Sequence, residues 1–451
     1  MIKSGFVKFL IRAAAVILLL LLITWAFLSY RQSTSYKHTI HQDAEHIIKV
    51  STDQIVKKVA LNAMANPLYY TKSTENDTIR DEENTESLGR GFNLPANLFF
   101  FTLKDYPNSI FCRLALIDSA NFRAFATRKL NGANATTNVD YSTIEDQGQR
   151  LQIFYNADHL AVGYSIDKRD LSKPLAEILL RTSMLEPDEH ILDRLKSNTH
   201  DIALIDDDMV IGLDFLNNAI EVSGQLPSQI KNSVRPISML NELATVHFTL
   251  SGDIPEIWQK PYSIHDITLP LDSLSKYYDG YTDIMLGGKV EQTDTMISYE
   301  YDDDFEKVEV KTLKKRLVPA THISISADAI EAKRLLNSSD ILTDAKINRK
   351  IFPFYDLHLQ GHDSTLLTLT NTELQSEITK VDSEKAFRLY VNFPALQDST
   401  VWPAIFSKTS HMQSLLIEGS AQEGRLIING RLQFDNEDIN ALMLLIAGIK
   451  Q

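Results

Sequence analysis

The chain has 451 residues, 44% of them hydrophobic, which is enough for about two or three domains with cores of their own. Its 59 acidic and 45 basic residues give a formal net charge of −14, and such a chain repels a phosphate backbone, so a general nucleic-acid binder is excluded. Cys112 is the only cysteine, which excludes an intramolecular disulfide and a multi-cysteine zinc site.

An apolar segment lies close to the N-terminus. Ala13 to Tyr30 is close to the ~20 residues needed to cross a bilayer, and Thr24 is the only polar residue before position 29. Three basic residues precede the segment, and Trp25 lies near its far end, a pattern that places the N-terminus in the cytoplasm. We therefore predict a cytoplasmic N-terminus (1–12), a transmembrane helix (13–30) and an extracytoplasmic remainder, most consistent with a bacterial periplasm.

A cleaved signal peptide is the alternative for this segment, because it shares the basic start and apolar stretch. The run is long for a signal sequence, and Ser33-Thr34-Ser35 is a poor substitute for an Ala-x-Ala cleavage site. The pattern therefore favours an uncleaved anchor. About a dozen residues are left in the cytoplasm, too few to fold alone, so the function is expected outside the membrane.

A helical stalk is predicted to follow the membrane segment, over residues 31–66. Apolar residues from Ile40 to Ala63 recur at spacings of three, four, seven and eight, which favours a helix running to about Met64, before Pro67. Packing on its own domain and pairing as a coiled coil remain alternatives for this helix. Three histidines of the stalk, His38, His41 and His46, are expected to face solvent. The polar, acidic residues that follow predict a linker or loop over 67–93.

The rest of the chain predicts an α+β fold of mostly antiparallel sheets with short covering helices, divided into domains at 94–260 and 261–451. A strand, an Asp, Asn or Ser, and a short helix recur in this order four times. The polar residues are expected to cap the helices, because their side chains accept the free amide hydrogens of a first helical turn. Whether the repetition is a true internal duplication stays open. The four segments are Phe111–Leu130, Val246–Gln259, His322–Leu336 and Leu426–Ile449.

Short polar turns between alternating segments predict three hairpins. Their strands are 151–155 with 159–165, 202–205 with 210–213, and 296–301 with 307–310. Helices are predicted at Leu175–Thr182 and Glu189–Lys196. Because most neighbouring strands are joined by short turns, the sheets are expected to be largely antiparallel, with helices on one face.

The candidate chemistry is sparse. Cys112 alternates with Leu114 on a strand, which indicates a core thiol. The triplets Asp206-Asp207-Asp208 and Asp302-Asp303-Asp304 offer oxygen ligands for calcium, but they lack the spacing of a calcium loop, and solvated hairpin turns explain them better.

Histidine and serine motifs are equally weak. His358 and His362 would share one face of a helix, but the alternation of residues 354–359 indicates a strand, so the two imidazoles are not expected to converge. Gly163-Tyr164-Ser165 lacks the second glycine of a nucleophile elbow, and Gly287-Gly288-Lys289 reads as a turn rather than a phosphate loop. No catalytic, cofactor-binding or metal residue and no cofactor is assigned.

Three functions are compatible with these patterns. The first is a non-enzymatic envelope protein, anchored in the membrane, whose folded part binds a protein partner or an envelope component. The second is a protein that binds lipid or another apolar ligand beside the bilayer, since amphipathic strands backed by helices can enclose a groove. An envelope hydrolase without a recognisable motif is the third. No nucleic-acid partner is expected.

Overall fold

The computed structural model describes residues 19, 22–71, 90–130, 134–137, 139–185, 190–228, 235–252, 260–264, 266–301, 307–361, 364–372, 380–402, 409 and 411–450. The chain divides into two compact units, residues 1–215 and 216–451. Both consist mainly of antiparallel strands with a smaller number of helices, which confirms the α+β prediction.

The first unit contains one antiparallel sheet. In space its strands follow the order β9-β8-β1-β2-β3-β7-β6-β5-β4. The strands are β1 (Ala44–Val50), β2 (Leu98–Leu103), β3 (Tyr106–Ala115), β4 (Asn134–Thr137), β5 (Ser142–Glu145), β6 (Leu151–Tyr155), β7 (His159–Ser165), β8 (Ile202–Ile205) and β9 (Val210–Phe215).

Helices cover this sheet. They are α1 (residues 22–35), α2 (Thr52–Ala65), α3 (Ser119–Lys129), α4 (Ser172–Leu180) and α5 (His190–Ser197), and residues 67–71 are also helical. The main core lies between the central strands and helices α4 and α5. Phe101 and Phe111 stack at its centre, with ring centroids 6.1 Å apart and no exposed surface.

The predicted helical stalk, residues 31–66, is wrong between residues 36 and 51, whereas residues 31–35 belong to α1. Residues 44–50 form β1, which pairs with both β2 and β8 in the interior of the sheet, and the helix begins only at Thr52. The apolar residues Ile47 and Ile40 are buried in the core of the unit. An apolar spacing of three and four does not separate a short buried strand followed by a helix from one long helix.

Cys112 lies in the interior of β3, as predicted from its alternating pattern. Its side chain is buried, and burial raises the pKa of the thiol to about 12. A thiol with so high a pKa is almost entirely protonated at neutral pH and therefore inert in the folded protein. Cys112 consequently serves as a reporter of unfolding in the first unit.

The second unit is built around a larger antiparallel sheet, with strand order β10-β26-β25-β24-β12-β15-β18-β22-β21-β20-β19. Its strands are β10 (Ala219–Pro227), β12 (Val246–Ser251), β15 (Tyr278–Leu286), β18 (Thr321–Ala327), β19 (Leu342–Thr343), β20 (Lys346–Ile347), β21 (His358–Gln360), β22 (Leu366–Thr370), β24 (Lys385–Asn392), β25 (Met412–Gln422) and β26 (Arg425–Phe434).

Three strand pairs lie apart from that sheet among the described residues: β11 (Arg235–Ser238) with β23 (Lys380–Ser383), β13 (Tyr262–Ile264) with β14 (Ile267–Leu269), and β16 (Val290–Tyr301) with β17 (Lys307–Val318). The helices of this unit are α6 (Leu271–Leu274), α7 (Ala329–Ser338), α8 (Phe393–Leu396) and α9 (Ala441–Lys450).

The predicted domain boundary after residue 260 falls inside the second unit. Strand β12, which precedes it, pairs with β15 and β24, which both follow it. The units instead divide near residue 215. Pairing between strands so distant along the chain leaves no local signal in the sequence, so the position of the division was not readable from composition.

Most local predictions from turns and caps are confirmed where the structure describes them, but the C-terminal helix begins at Ala441, and the amide of Leu442 donates to the side chain of Asn440 rather than to one of the residues 435–438. All three hairpins form, and β16 and β17 are longer than predicted. Asp118 caps α3 by accepting hydrogen bonds from the amides of Ala120 and Asn121, and Asp328 caps α7 by accepting from the amide of Glu331. The helix predicted at 254–259 lies outside the described residues. Whether the four strand–cap–helix segments arose by internal duplication stays open.

The predicted transmembrane segment is described only at its end, at residue 19 and from residue 22 onward. Among the described residues, no helix has the length and apolar content that crossing a membrane requires. Most of the predicted polar linker, residues 72–89, lies outside the described part of the chain.

Candidate functional site

The most distinctive surface of the first unit is a cleft of about 990 Å³ between α1 and α2. Its lining combines apolar side chains with three lysines. The residues of this cleft are Leu28, Ser29, Gln32, Ser33, Tyr36, Asp53, Gln54, Val56, Lys57, Lys58, Leu61 and Lys196.

The end of α1 is fastened to the unit by several contacts. The guanidinium of Arg31 donates two hydrogen bonds to the carboxylate of Asp53, at 2.8 and 3.0 Å, and a third to the carbonyl of Leu94 at 3.0 Å. The bond to Asp53 raises the pKa of Arg31. One turn later, the ring of Tyr36 packs on Phe99, with centroids 5.3 Å apart. These contacts fix the direction in which α1 leaves the sheet.

The exposed part of α1 is apolar. Residues 22–30 are all exposed in the described structure, although most of them are large hydrophobic side chains. Trp25 is 69% exposed and Phe27 57% exposed. Apolar side chains grouped on an exposed surface normally mark contact with a membrane or a partner.

Helix α2 exposes its apolar face in the same way. Its exposed residues recur at helical spacing on one side and, apart from one lysine, are apolar, whereas its one buried residue is the polar Asn62. This polarity is the reverse of that expected for a surface helix of a soluble domain. The exposed stripe consists of Val56, Lys57, Ala60, Leu61, Met64 and Ala65, and Leu68 in the following turn is 75% exposed.

A network of charged groups supports the cleft from below. Lys58 Nζ lies 2.7 Å from Asp201 Oδ2 and 3.3 Å from Asp214 Oδ1, and Asp214 Oδ2 lies 2.6 Å from Nδ1 of His200. Asp201 is fully buried and also accepts a hydrogen bond from the amide of Phe215 at 2.7 Å. Burial opposes ionisation of Asp214, but its bond to His200 and the charge of Lys58 bring its pKa below the usual value.

A second lysine, Lys49, is buried beneath Tyr36. Its ammonium group donates to the carbonyls of Leu195 and Asn198, at 2.8 and 2.7 Å, and so satisfies the C-terminal end of α5. Burial lowers the pKa of Lys49 to about 8. A lowered pKa is also found in catalytic lysines, but this amine is only 2% exposed and fully engaged, which indicates a structural role.

Among the stalk histidines, His41 differs from the prediction, His46 is exposed as predicted and His38 is half-buried. His41 is buried, not solvent-facing, and lines a separate cavity of about 480 Å³ with Asp43 and Glu177. Its Nε2 lies 3.7 Å from the carboxylate of Glu177, too far for a hydrogen bond. Burial lowers the pKa of His41, against the opposing effect of the two carboxylates. His46 remains accessible and pairs with Asp206 at 3.0 Å.

The acidic triplets and the paired histidines do not form a site in the described residues. Asp206 is a turn residue, since its carboxylate accepts the amides of Asp208 and Met209. His358 lies in β21, whereas His362 and the triplet 302–304 lie outside the described residues. Ser165 is enclosed in β7, where it contacts Asp167 and Ser109. Within the described ranges, no group of three or more His, Cys, Asp or Glu side chains is arranged to hold a metal ion.

A buried polar chain in the second unit was missed by sequence reasoning. The hydroxyl of Tyr281 lies 2.7 Å from Ser238 Oγ and donates to Asp283 Oδ2 at 3.0 Å, and Asp283 lies 3.5 Å from Nε2 of His247. Burial and the charge of Asp283 raise the pKa of Tyr281 to about 12. All four residues are at most 7% exposed, so this serine, aspartate and histidine are closed to substrate and act within the core.

Comparisons with known proteins give no relative on which to base a function. No protein-family model matches the chain, and no curated protein matches it. Among solved structures, crystal forms III and I of TP0453 align at 9% and 7% sequence identity, over 74% and 73% of this chain and 90% and 89% of that one. The TM-score is 0.23 in both cases, so the two alignments carry no inference about fold or function.

Proposed function

We propose that this chain is a single-pass protein of the cell envelope whose first unit lies directly on the bilayer surface and contacts lipid through α2. In this arrangement the segment 13–30 is the anchor, the N-terminus is cytoplasmic, and the first unit from residue 31 onward and the whole second unit are extracytoplasmic. The role is binding rather than catalysis. The observation that carries the proposal is the apolar stripe of α2, exposed beside the apolar end of α1.

The physical argument follows from the cost of exposed apolar surface. Val56, Leu61, Met64 and Leu68 are 52–75% exposed, and each would gain roughly 1 kcal/mol or more from leaving water. A helix with one apolar face typically lies in the plane of a membrane interface. Since Arg31 and Tyr36 fasten α1 beside α2, an anchor crossing the bilayer brings α2 to the interface without a flexible linker.

Measurement of depth tests this proposal. We expect an environment-sensitive dye on Met64→Cys, in a Cys112→Ala background, to be quenched by doxyl-labelled lipid in phosphatidylcholine nanodiscs, because position 64 contacts acyl chains. The matched control is Ile117→Cys, which replaces a 73% exposed residue outside the α2 stripe. Equal, water-like emission from both positions would contradict contact between α2 and the bilayer.

The second unit supports a second function, the binding of a protein partner. Strands β16 and β17 form a two-stranded ribbon that pairs with no other strand among the described residues. The pairing register places four exposed apolar residues on one face of the ribbon, Ile297, Tyr299, Leu313 and Leu317. Unpaired edges next to apolar side chains are the usual basis for recognition by strand addition.

Crosslinking in intact cells tests this second function. We expect a defined protein to co-purify with the wild-type chain and to be lost from the double variant Ile297→Lys, Leu313→Lys, because both changes replace an exposed apolar side chain with a charged one on a face that already carries Lys311 and Lys315. Both side chains are more than half exposed, so the variant should fold as the wild type does. A partner retained by the variant, or a chain that crosslinks to nothing, argues against the ribbon as a binding element.

A further inference from the structure

The cleft between α1 and α2 carries positive charge in a chain whose net charge is −14. Its lining contains Lys57, Lys58 and Lys196 against a single acid, Asp53, which Arg31 already neutralises. Lys58 is held by Asp201 and Asp214 beneath the cleft. Of the other two lysines, which lie at the rim, Lys196 pairs with Asp193, so the uncompensated positive charge of the lining is that of Lys57.

These two rim lysines are accessible. Lys57 is exposed, and no ion-pair partner for it is found among the described residues. Lys196 is 42% exposed at its side chain and lies 3.3 Å from Asp193, an exposed pair one turn apart. Exposed pairs of this kind are weak, so pairing with Asp193 does not by itself prevent Lys196 from contacting an anion.

Apolar side chains continue the cleft beyond the lysines. Leu28 of α1 faces Val56 and Leu61 of α2 across it. A ligand that fits this arrangement has an anionic head and an apolar tail. Because the cleft lies where the anchor emerges from the unit, that ligand is available in the bilayer itself.

We infer that the cleft binds an acidic phospholipid, with its phosphate between Lys57 and Lys196 and one acyl chain along Leu28, Val56 and Leu61. This inference rests on the proposed function, which places α2 at the bilayer surface. Ammonium groups are good partners of phosphate, and basic residues near a membrane surface favour anionic over neutral lipids. A zwitterionic headgroup offers the same phosphate, but its own cation would compete with the two lysines.

Native mass spectrometry of the full chain tests the inference, using detergent micelles that contain equal amounts of phosphatidylglycerol and phosphatidylcholine. We expect the wild type to retain phosphatidylglycerol preferentially, and Lys57→Gln with Lys196→Gln to reduce that preference about tenfold. The control, Lys314→Gln with Lys333→Gln, changes two exposed lysines of the second unit and should leave the preference unchanged.

Three results would overturn the inference: equal retention of both lipids by the wild type, an unchanged preference in the lysine variant, or the same loss of preference in the control. Dye depth at position 64 in phosphatidylcholine nanodiscs separates this failure from failure of the proposed function. A dye that is quenched there while the lysine variant keeps its preference refutes only the binding of the lipid phosphate by Lys57 and Lys196. A dye that stays in water in nanodiscs with and without phosphatidylglycerol refutes the proposed function as well.

Discussion

Phe101→Ala is expected to lower the free energy of unfolding of the first unit by about 4 kcal/mol. Phe101 has no exposed surface, lies in the interior strand β2 and stacks on Phe111. Truncation to alanine removes an aromatic ring from a core shared by the sheet and two helices. Because strand pairing on both sides holds β2 in place, the surrounding side chains cannot close over the cavity.

Alkylation of Cys112 measures this loss. The thiol is buried and protonated in the folded unit, so its labelling in increasing denaturant reports the unfolding of the first unit specifically. Ile117→Ala, at a position 73% exposed, is the matched control and should change the midpoint little. A Phe101 variant with the wild-type midpoint would mean that this cluster is not the core that stabilises the unit.

Asp201→Ala is expected to cost about 3 kcal/mol of stability in the same unit. The carboxylate is fully buried and accepts hydrogen bonds from Lys58 and from the amide of Phe215, both at 2.7 Å. Removal of a buried partner strands the opposite charge. The expected loss lies at the lower end of the range for buried pairs because Lys58 is partly exposed and keeps Asp214 at 3.3 Å.

A double-mutant cycle isolates the ion pair from the effect of the cavity. Lys58→Met should destabilise less than Asp201→Ala, and the double variant should destabilise less than the sum of the two single changes, because the pair is lost only once. Asp206→Ala is the control for loss of a carboxylate, because Asp206 lies in a surface turn and its only ionisable partner among the described residues is the exposed His46. Additive single effects would show that Asp201 acts only through the amide of Phe215.

Local chemistry made part of the fold predictable. Turns and caps depend on neighbouring residues, and the predictions at Asp118, Asp328 and the turn at Asp206 are confirmed in the structure. The helix predicted over β1 is wrong because the burial of this strand depends on residues distant in the sequence. Its buried Lys49 reads as a surface residue, and it is buried only because carbonyls of α5, some 150 residues away, accept its hydrogen bonds.

The candidate site was even less accessible to sequence reasoning. The apolar residues of α2 were recognised, but periodicity does not show which face turns toward the sheet, and packing on the domain and pairing as a coiled coil both stayed open. In the structure, Val56, Leu61 and Met64 point outward while Asn62 is buried. The cleft also requires Lys196, which approaches α2 only through the pairing of β1 with β8. The buried polar chain of Ser238, Tyr281, Asp283 and His247 depends on long-range strand pairing in the same way.

The joint between α1 and β1 makes the first unit a lever. Eight residues separate the helix from the strand. Arg31 on Asp53 and Tyr36 on Phe99 hold the helix end of that segment, and the amide of Gln42, near the strand end, donates to the carbonyl of Ser183. An apolar helix changes its tilt when the thickness of the surrounding bilayer changes. If α1 is the membrane anchor proposed above, these contacts make a tilt of α1 turn the sheet of the first unit with it, so a change in membrane thickness would displace the unit's far edge.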